Sequence, residues 1–542
     1  MKLELKKSDK FFGRTGPVLF IIMDGVGLGK LDESNAVYLA KTPTLDMLKE
    51  VALKTQLKAH GPAVGLPSED DMGNSEVGHN AMGAGRVFAQ GAKLVNKSLE
   101  TGKIFESKSW EQVVEKGING GTVHFMGLLS DGNVHSHINQ LFKLINRCAN
   151  DGVKKLRLHI LLDGRDVGEK TALEYIAPTE NLLKELNEKF GVDYKIASGG
   201  GRMITTMDRY NADWTIVERG WKAHVLGEAR KFKSAAEAVQ AYYDEDPKAT
   251  DQYLESFVVV DENENPVGTI NDGDSVVFFN FRGDRAIEIS RAFTEENFTE
   301  FDRKRLPKVF YAGMMEYDGD LHIPENFLVN PPLIERTLSE YLCAAGVKSF
   351  AVSETQKFGH VTYFWNGNRS GYINEQLEQY YEVPSDKIPF DQAPKMKAYE
   401  ITEKVIEYLR SGEYKFGRLN FANGDMVGHT GIMEAAITAV ETVDECVGKL
   451  IKVVEELDGV AVITADHGNA DEMFTVSKGK KAVKTAHTLN PVPFYIVDKN
   501  YNGEYVMADV ENAGLTNIAG TLLNLLGYEN VEDYDKSLIK VV

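Results

Sequence analysis

The sequence predicts an α/β protein of two domains, one of them interrupted by insertion of the other. Short apolar runs alternate with helical patterns, the mark of parallel sheets covered by helices. Several of these runs end at charged or glycine-containing turns. The chemistry-bearing residues also form two groups, Asp and His toward both ends of the chain and Arg in the middle. At 542 residues the chain is too long for one ordinary core.

Val18 to Met23 reads as a buried strand that closes on Asp24-Gly25. Thr42-Pro43-Thr44-Leu45 opens a helix expected to run to about Leu53. Val123 to Leu128 is a second strand. Leu156 to Leu162 is a third, running into Asp163-Gly164-Arg165-Asp166. Ser275 to Asn280 leads into Phe281-Arg282-Gly283-Asp284-Arg285. Leu419 to Phe421 precedes Asp425, and Val460 to Thr464 precedes Asp466-His467. Between them, Glu434 to Leu457 has the clearest helical period, with Ala435, Ala439, Val443, Val447, Leu450 and Val454 on one face. Ligands of such sheets bind beyond the carboxyl ends of strands, which favours the polar residues at these positions. The chain is expected to cross between domains at Arg86 to Gly91 and at Leu328 to Leu333, where Pro331-Pro332 would form a stiff connector. That assigns residues 1–88 and 332–542 to one domain and 89–331 to the inserted one.

Composition narrows the function. A net charge of −20 argues against general affinity for nucleic acid or an anionic membrane, though a local arginine cluster can still hold an anion. The three cysteines, Cys148, Cys343 and Cys446, are scattered and suggest a reducing compartment without a disulfide frame. Met1 to Arg14 lacks an apolar core of the secretory kind, so a cytosolic protein is expected.

Ser75 stands in Gly73-Asn74-Ser75-Glu76-Val77-Gly78-His79, a small hydroxyl between glycines just before a helix start. Serine needs a base or a metal to become a nucleophile. No Ser-His-Asp spacing is evident, whereas metal-binding pairs are. Asp425 and His429 are one helical turn apart, Asp466-His467 follows a strand, and His487 and Asp24 complete the set. Mixed carboxylate and imidazole donors suit Mn²⁺, Zn²⁺, Fe or Co²⁺, with Mg²⁺ an alternative. Each pair alone also fits an ordinary turn or solvated helix face. His124 and His159, inside apolar strands, read as core residues. His60, His224 and His322 read as exposed-loop residues, and His79 and His360 as near the site without being ligands.

Arg165, Arg202, Arg209, Arg282 and Arg285 fall in short Gly- or Asp-flanked segments, and planar guanidinium forks match carboxylate and phosphate oxygens in pairs. Five of them suit a small ligand carrying both groups. His135 is a further donor, Asp166 either an acid/base or an ion-pair partner, and Lys357 a cation on a glycine-containing loop.

Together these motifs resemble the cofactor-independent phosphoglycerate mutases of the alkaline phosphatase superfamily. The segments Gly73 to His79, Gly127 to His137, Asp163 to Val167, Asn280 to Arg285, Glu354 to His360, Asn423 to Gly431 and Thr464 to Asn469 match that pattern in order. The resemblance implies an alkaline-phosphatase-like metal domain interrupted by an α/β substrate-binding, or phosphotransferase, domain. It implies one ion on Asp425, His429 and His487 and another on Asp24, Ser75, Asp466 and His467, Mn²⁺ first, then Mg²⁺ or Co²⁺. Ser75 would be the phosphorylated nucleophile. His135, Arg165, Asp166, Arg202, Arg209, Arg282 and Arg285 would hold phosphoglycerate, with Lys357 from the other domain and Asp166 moving protons. The expected reaction interconverts 3- and 2-phosphoglycerate in a monomer, without 2,3-bisphosphoglycerate and with domain closure keeping water from the phosphoserine. A metal-dependent phosphatase or another phosphomutase of the superfamily, such as a phosphopentomutase, is the alternative. A catalytically dead binding protein is the rival of a different class.

Overall fold

A computed structural model describes residues 3–542 apart from Pro67, 89–90, 209–212, Asp320, 331–333 and 478–479. Two compact units are present, Met1–Ala89 with Pro331–Val542, and Gln90–Asn330. Parts of both predicted crossings, including Pro331-Pro332, lie outside the described residues.

The first unit is built on a seven-stranded sheet in the order Glu378–Val383, Ser349–Glu354, Phe416–Phe421, Val18–Met23, Val460–Thr464, Val492–Val497, Leu53–Leu57. The first five strands run parallel, and the last two join antiparallel. All six residues of Val18–Met23 are buried, as a strand covered on both faces requires. Helix Met433–Glu456 buries Ala435, Ala439, Val443, Val447, Leu450 and Val454, the stripe seen in the sequence. The helix that opens at Pro43 stops at Val51, short of the expected Leu53. Leu53 instead begins an edge strand, because its backbone pairs with Ile496. Burial alternates along that strand, and tertiary pairing overrides a helical propensity there.

The second unit holds another seven-stranded sheet, in the order Arg230–Phe232, Phe257–Val259, Asp193–Gly201, Lys155–Leu162, Val123–Leu128, Ser275–Phe278, Phe310–Gly313. Only the pairing of Asp193–Gly201 with Phe257–Val259 is antiparallel. The expected strand to Asn280 ends at Phe278. Asn280 leaves the ladder to accept the Leu128 N–H on its side-chain Oδ1 at 2.9 Å. His224 is not an exposed-loop residue: it is fully buried in the helical turn Lys222–Leu226. Among the described residues no helix is long and apolar enough to cross a membrane.

Candidate active site

The Asp and His cluster of the first unit grows from the carboxyl ends of four adjacent parallel strands. Asp24 follows Val18–Met23, and Asp466-His467 follow Val460–Thr464. Asp425 sits in helix Asn423–Gly428 after Phe416–Phe421, and Lys357 in the short helix Thr355–Gly359 after Ser349–Glu354. Lys357 is thus helical rather than on a loop. Ser75 is the first residue of helix Ser75–Ala84, capped by Asn74, whose side chain accepts the Val77 N–H. The helix N-terminus favours negative charge beside Ser75.

Ser75 is completely buried, and its Oγ is the hub of the site. Lys357 Nζ donates to it at 2.7 Å. His467 Nε2 lies 3.0 Å away, and the two Asp24 oxygens lie 3.2 and 3.3 Å away. On one side, Asp425 Oδ1 is 3.1 Å from both His429 Nε2 and His487 Nε2, which are 3.1 Å from each other. His429 Nδ1 donates to the Thr485 carbonyl at 2.6 Å and His487 Nδ1 to the Gly73 carbonyl at 2.8 Å. A carbonyl only accepts, so each ring carries its proton on Nδ1 and presents a lone pair at Nε2. Three acceptor atoms therefore converge with no proton among them, an arrangement that repels itself unless a cation sits between. On the other side, His467 Nε2 is 3.3 Å from Asp24 Oδ1 and 3.9 Å from Asp466 Oδ2, and the latter oxygen is buried without a hydrogen-bond partner. Ligand atoms of Asp24, Asp466 and His467, and of Asp425, His467 and His487, lie within 4.8 Å of one another.

Charge leads to the same conclusion. Three fully buried carboxyl groups, Asp24, Asp425 and Asp466, crowd the Lys357 ammonium, 2.8 Å from Asp425 Oδ2 and 3.6 Å from Asp24 Oδ2, and the His467 ring, which they push up to about 10, so that without a metal ion protons meet the charge. Uncompensated charge in a dry site is costly. Burial pushes Asp466 up to about 8, helped by the charge of Asp24. Burial also disfavours charge on Asp24, but Lys357 and His467 outweigh it and hold that carboxyl down at about 2. Asp425 is likewise held well below the usual range: burial opposes this, but the Lys357 ammonium outweighs it. The residues present therefore fit divalent cations with oxygen and imidazole ligands.

The sequence reading passed over two supporting side chains, Asn420 and Asn469, and placed a third, His79, near the site without a role. Asn420 Nδ2 donates to Asp24 Oδ2 at 2.7 Å, and Asn469 Nδ2 to Asp425 Oδ1 at 3.0 Å. His79 Nδ1 donates to the Ser75 carbonyl at 2.7 Å; burial and the neighbouring His360 depress its pKa to about 3. The available signal was a polar residue inside an otherwise buried strand at Asn420, and the Asn three places after Asp466.

In the second unit the anion candidates also follow parallel strands. Arg202, 1% exposed, follows Asp193–Gly201 and donates from Nη1 to Asp163 Oδ1 at 2.7 Å and Asp166 Oδ2 at 2.5 Å. Asp166 thus pairs with Arg202, while its neighbour Arg165 is exposed. His135 and Arg282 gather on Asp284 Oδ1, at 3.5 and 3.2 Å. Arg285 donates from Nη1 to the Met207 carbonyl at 2.6 Å. Arg209 lies outside the described residues.

Fold and site define a metalloenzyme, and residues 16–530 match the model of the metalloenzyme superfamily. The chain is 51% identical to the 2,3-bisphosphoglycerate-independent phosphoglycerate mutase of Trypanosoma brucei brucei, over 97% of each chain. It is 51% identical to the enzyme of the same name from Ricinus communis, over 97% of this chain and 96% of that one. A crystal structure of Leishmania mexicana phosphoglycerate mutase at low cobalt concentration matches at 51% identity and a TM-score of 0.63, covering 99% of this chain and all of that one. Within the superfamily, the chain belongs to the 2,3-bisphosphoglycerate-independent phosphoglycerate mutases.

Proposed function

We propose that this protein interconverts 3-phosphoglycerate and 2-phosphoglycerate, a step of glycolysis and gluconeogenesis, through a phosphoserine at position 75 and without 2,3-bisphosphoglycerate. The observation that carries this is the Ser75 Oγ held at a helix N-terminus, 2.7 Å from the Lys357 ammonium and 3.0 Å from His467.

Two divalent ions, Mn²⁺ first and Mg²⁺ or Co²⁺ as alternatives, would sit on Asp425–His429–His487 and on Asp24–Ser75–Asp466–His467, and when bound they lower the serine pKa and offset phosphoryl charge. Lys357 donates to Ser75 Oγ and so favours its alkoxide. The Oγ–P bond forms as the bond from phosphorus to the glycerate oxygen breaks. Asp166 gives a proton to the departing hydroxyl and takes one from the hydroxyl that attacks phosphoserine. His135, Arg165, Arg202, Arg209, Arg282 and Arg285 are the binding residues for the anionic ligand. Asp163, buried and paired with Arg202, keeps that guanidinium and Asp166 in register. The chain acts as a cytosolic monomer in this reading; its three unpaired cysteines support the reducing compartment.

The test supplies 3-phosphoglycerate to metal-stripped, Mn²⁺-reloaded protein free of 2,3-bisphosphoglycerate, couples the product to enolase, and runs Ser75→Ala in parallel. Metal-dependent product formation that is lost in Ser75→Ala is the expected result. Release of free phosphate with no 2-phosphoglycerate from fully metallated protein would move the assignment to a phosphatase.

A further inference from the structure

Three histidines of the second unit have no role so far. His124, His159 and His224 are fully buried and form one hydrogen-bonded line between Asp274 and Thr206. His124 Nε2 is 3.1 Å from Asp274 Oδ2, and His124 Nδ1 is 2.9 Å from His159 Nε2. His159 Nδ1 is 2.7 Å from Ser198 Oγ, which is 2.7 Å from His224 Nδ1. His224 Nε2 is 2.9 Å from Thr206 Oγ1.

Asp274 sets the direction of this line. Its carboxylate also accepts the N–H groups of Thr122, at 2.7 Å, and Asn271, at 2.8 Å. Burial favours the neutral acid, but these bonds and His124 hold the group below the ordinary carboxylate range. An ionised carboxylate only accepts. His124 must therefore donate from Nε2, which leaves Nδ1 a lone pair, and the requirement passes along. His159 donates from Nε2 to His124, and the Ser198 hydroxyl donates to His159 Nδ1. His224 donates from Nδ1 to Ser198, and the Thr206 hydroxyl donates to His224 Nε2. One neutral tautomer per ring satisfies every bond. Burial, which lowers the affinity of all three rings for a second proton, agrees with this.

The far end of the line sits on unusual backbone. Thr206 has φ 71°, a rare conformation for a β-branched residue. The Met207 N–H donates to the Thr205 carbonyl at 2.8 Å and closes a γ-turn there. Gly220 leaves room for it: a Cβ at 220 would lie 2.0 Å from Thr206 Oγ1. The turn presents the Met207 carbonyl to Arg285 Nη1, 2.6 Å away.

We infer that Thr206 is a positioning residue for Arg285. The line anchored at Asp274 holds the Thr206 hydroxyl as a donor, which keeps the γ-turn, and through the Met207 carbonyl the Arg285 guanidinium, where phosphoglycerate is bound. This rests on the binding role of Arg285 proposed above.

Thr206→Val keeps the shape and the backbone strain but removes the donor, leaving His224 Nε2 buried and unsatisfied. Its KM for 3-phosphoglycerate is expected to rise roughly tenfold. Its kcat should stay within about a factor of two, because the residue supports binding rather than the reacting oxygen. Thr206→Ser, which restores the hydroxyl, should return KM to the wild-type value. An unchanged KM in Thr206→Val, or equal impairment in Thr206→Ser, overturns the assignment. Should Thr206→Val fail to fold, ¹⁵N imidazole shifts of the wild-type protein decide. His224 should be protonated at Nδ1, and His124 and His159 at Nε2, across neutral pH; any other order overturns it. Arg285→Ala separates the two readings. If it leaves KM unchanged, the binding role of Arg285 fails. If it raises KM while Thr206→Val does not, that role stands and only the positioning fails.

Discussion

Replacing Lys357 by Met tests the catalytic centre most directly. The side chain is fully buried, so a linear apolar replacement of similar volume keeps the packing while deleting the charge. Its ammonium is 2.7 Å from Ser75 Oγ, 2.8 Å from Asp425 Oδ2 and 3.6 Å from Asp24 Oδ2. At an effective dielectric of about 20, unit charges some 4 Å apart interact by about 4 kcal/mol. The serine oxygen receives only part of that, since two carboxylates share the ammonium. Removal of one donor to a developing oxyanion slows kcat by about 10² to 10³, or about 3 to 4 kcal/mol. Both routes place the loss for Lys357→Met at two to three orders of magnitude in kcat, with KM little changed. The assay is the enolase-coupled reaction at saturating 3-phosphoglycerate. Bound metal is counted in the same sample, so that lost metal is not mistaken for lost chemistry. A fully metallated variant that keeps more than about a tenth of wild-type kcat would refute the role of the ammonium at Oγ.

Three further outcomes are expected. His487→Ala should lower tightly bound Mn²⁺ from about two ions per chain to about one, counted by mass spectrometry of gel-filtered protein; an unaltered count would remove His487 from the ligand set. In the metal-free protein His467 is pushed up to about 10, Asp466 and Asp24 outweighing burial, and Asp466 is pushed up to about 8 by burial and by Asp24. Both folded values exceed the unfolded ones, so their stabilisation is complete at low pH. It is lost as pH rises from about 4 toward about 8 for Asp466 and from about 6.5 toward about 10 for His467. Buried neutral rings such as His79 have the opposite sign but are complete above about pH 7. Metal-free Tm should therefore fall between about pH 7 and about pH 9, with Mn²⁺ restoring it; a calorimetric Tm that climbs across this window contradicts the charge assignment. Finally, a Cβ at Gly83 would lie 2.1 Å from the Trp365 carbonyl oxygen, so Gly83→Ala must push the helix carrying Ser75 off its neighbour. Urea unfolding should show a loss of about 1 to 3 kcal/mol, and no loss would mean the two segments are not packed as described.

Much of the strand framework was legible because buried parallel strands are continuous apolar runs: Val18–Met23, Val123–Leu128 and Val460–Thr464 have the bounds read from sequence. The long helix was legible from its period, Met433–Glu456 differing by one residue at each end. Leu53 was misassigned because pairing with Val492–Val497, more than 400 residues away, makes it a strand, and no local pattern reports such a partner. His224 was misread for the same reason. Its turn is short and glycine-bounded, which reads as a loop, yet Ser198 and Thr206 enclose it.

By itself the sequence determined which groups this protein has for chemistry: a serine before a helix, carboxylates and imidazoles after strands, arginines after other strands, and a resemblance that joins them. Local pattern suffices for this, since strand ends and helix starts are written in neighbouring residues. Only the tertiary structure decided which groups meet. Adjacent parallel strands bring Asp24 together with Asp425 and Asp466, about 400 residues further along the chain, and Lys357 to 2.7 Å from Ser75 Oγ. Tautomers at His429 and His487 are set by the carbonyls of Thr485 and Gly73. Asp166 finds Arg202 rather than its neighbour Arg165. Distance and direction between remote side chains depend on sheet order and register, which are collective properties of the folded chain rather than of any local segment.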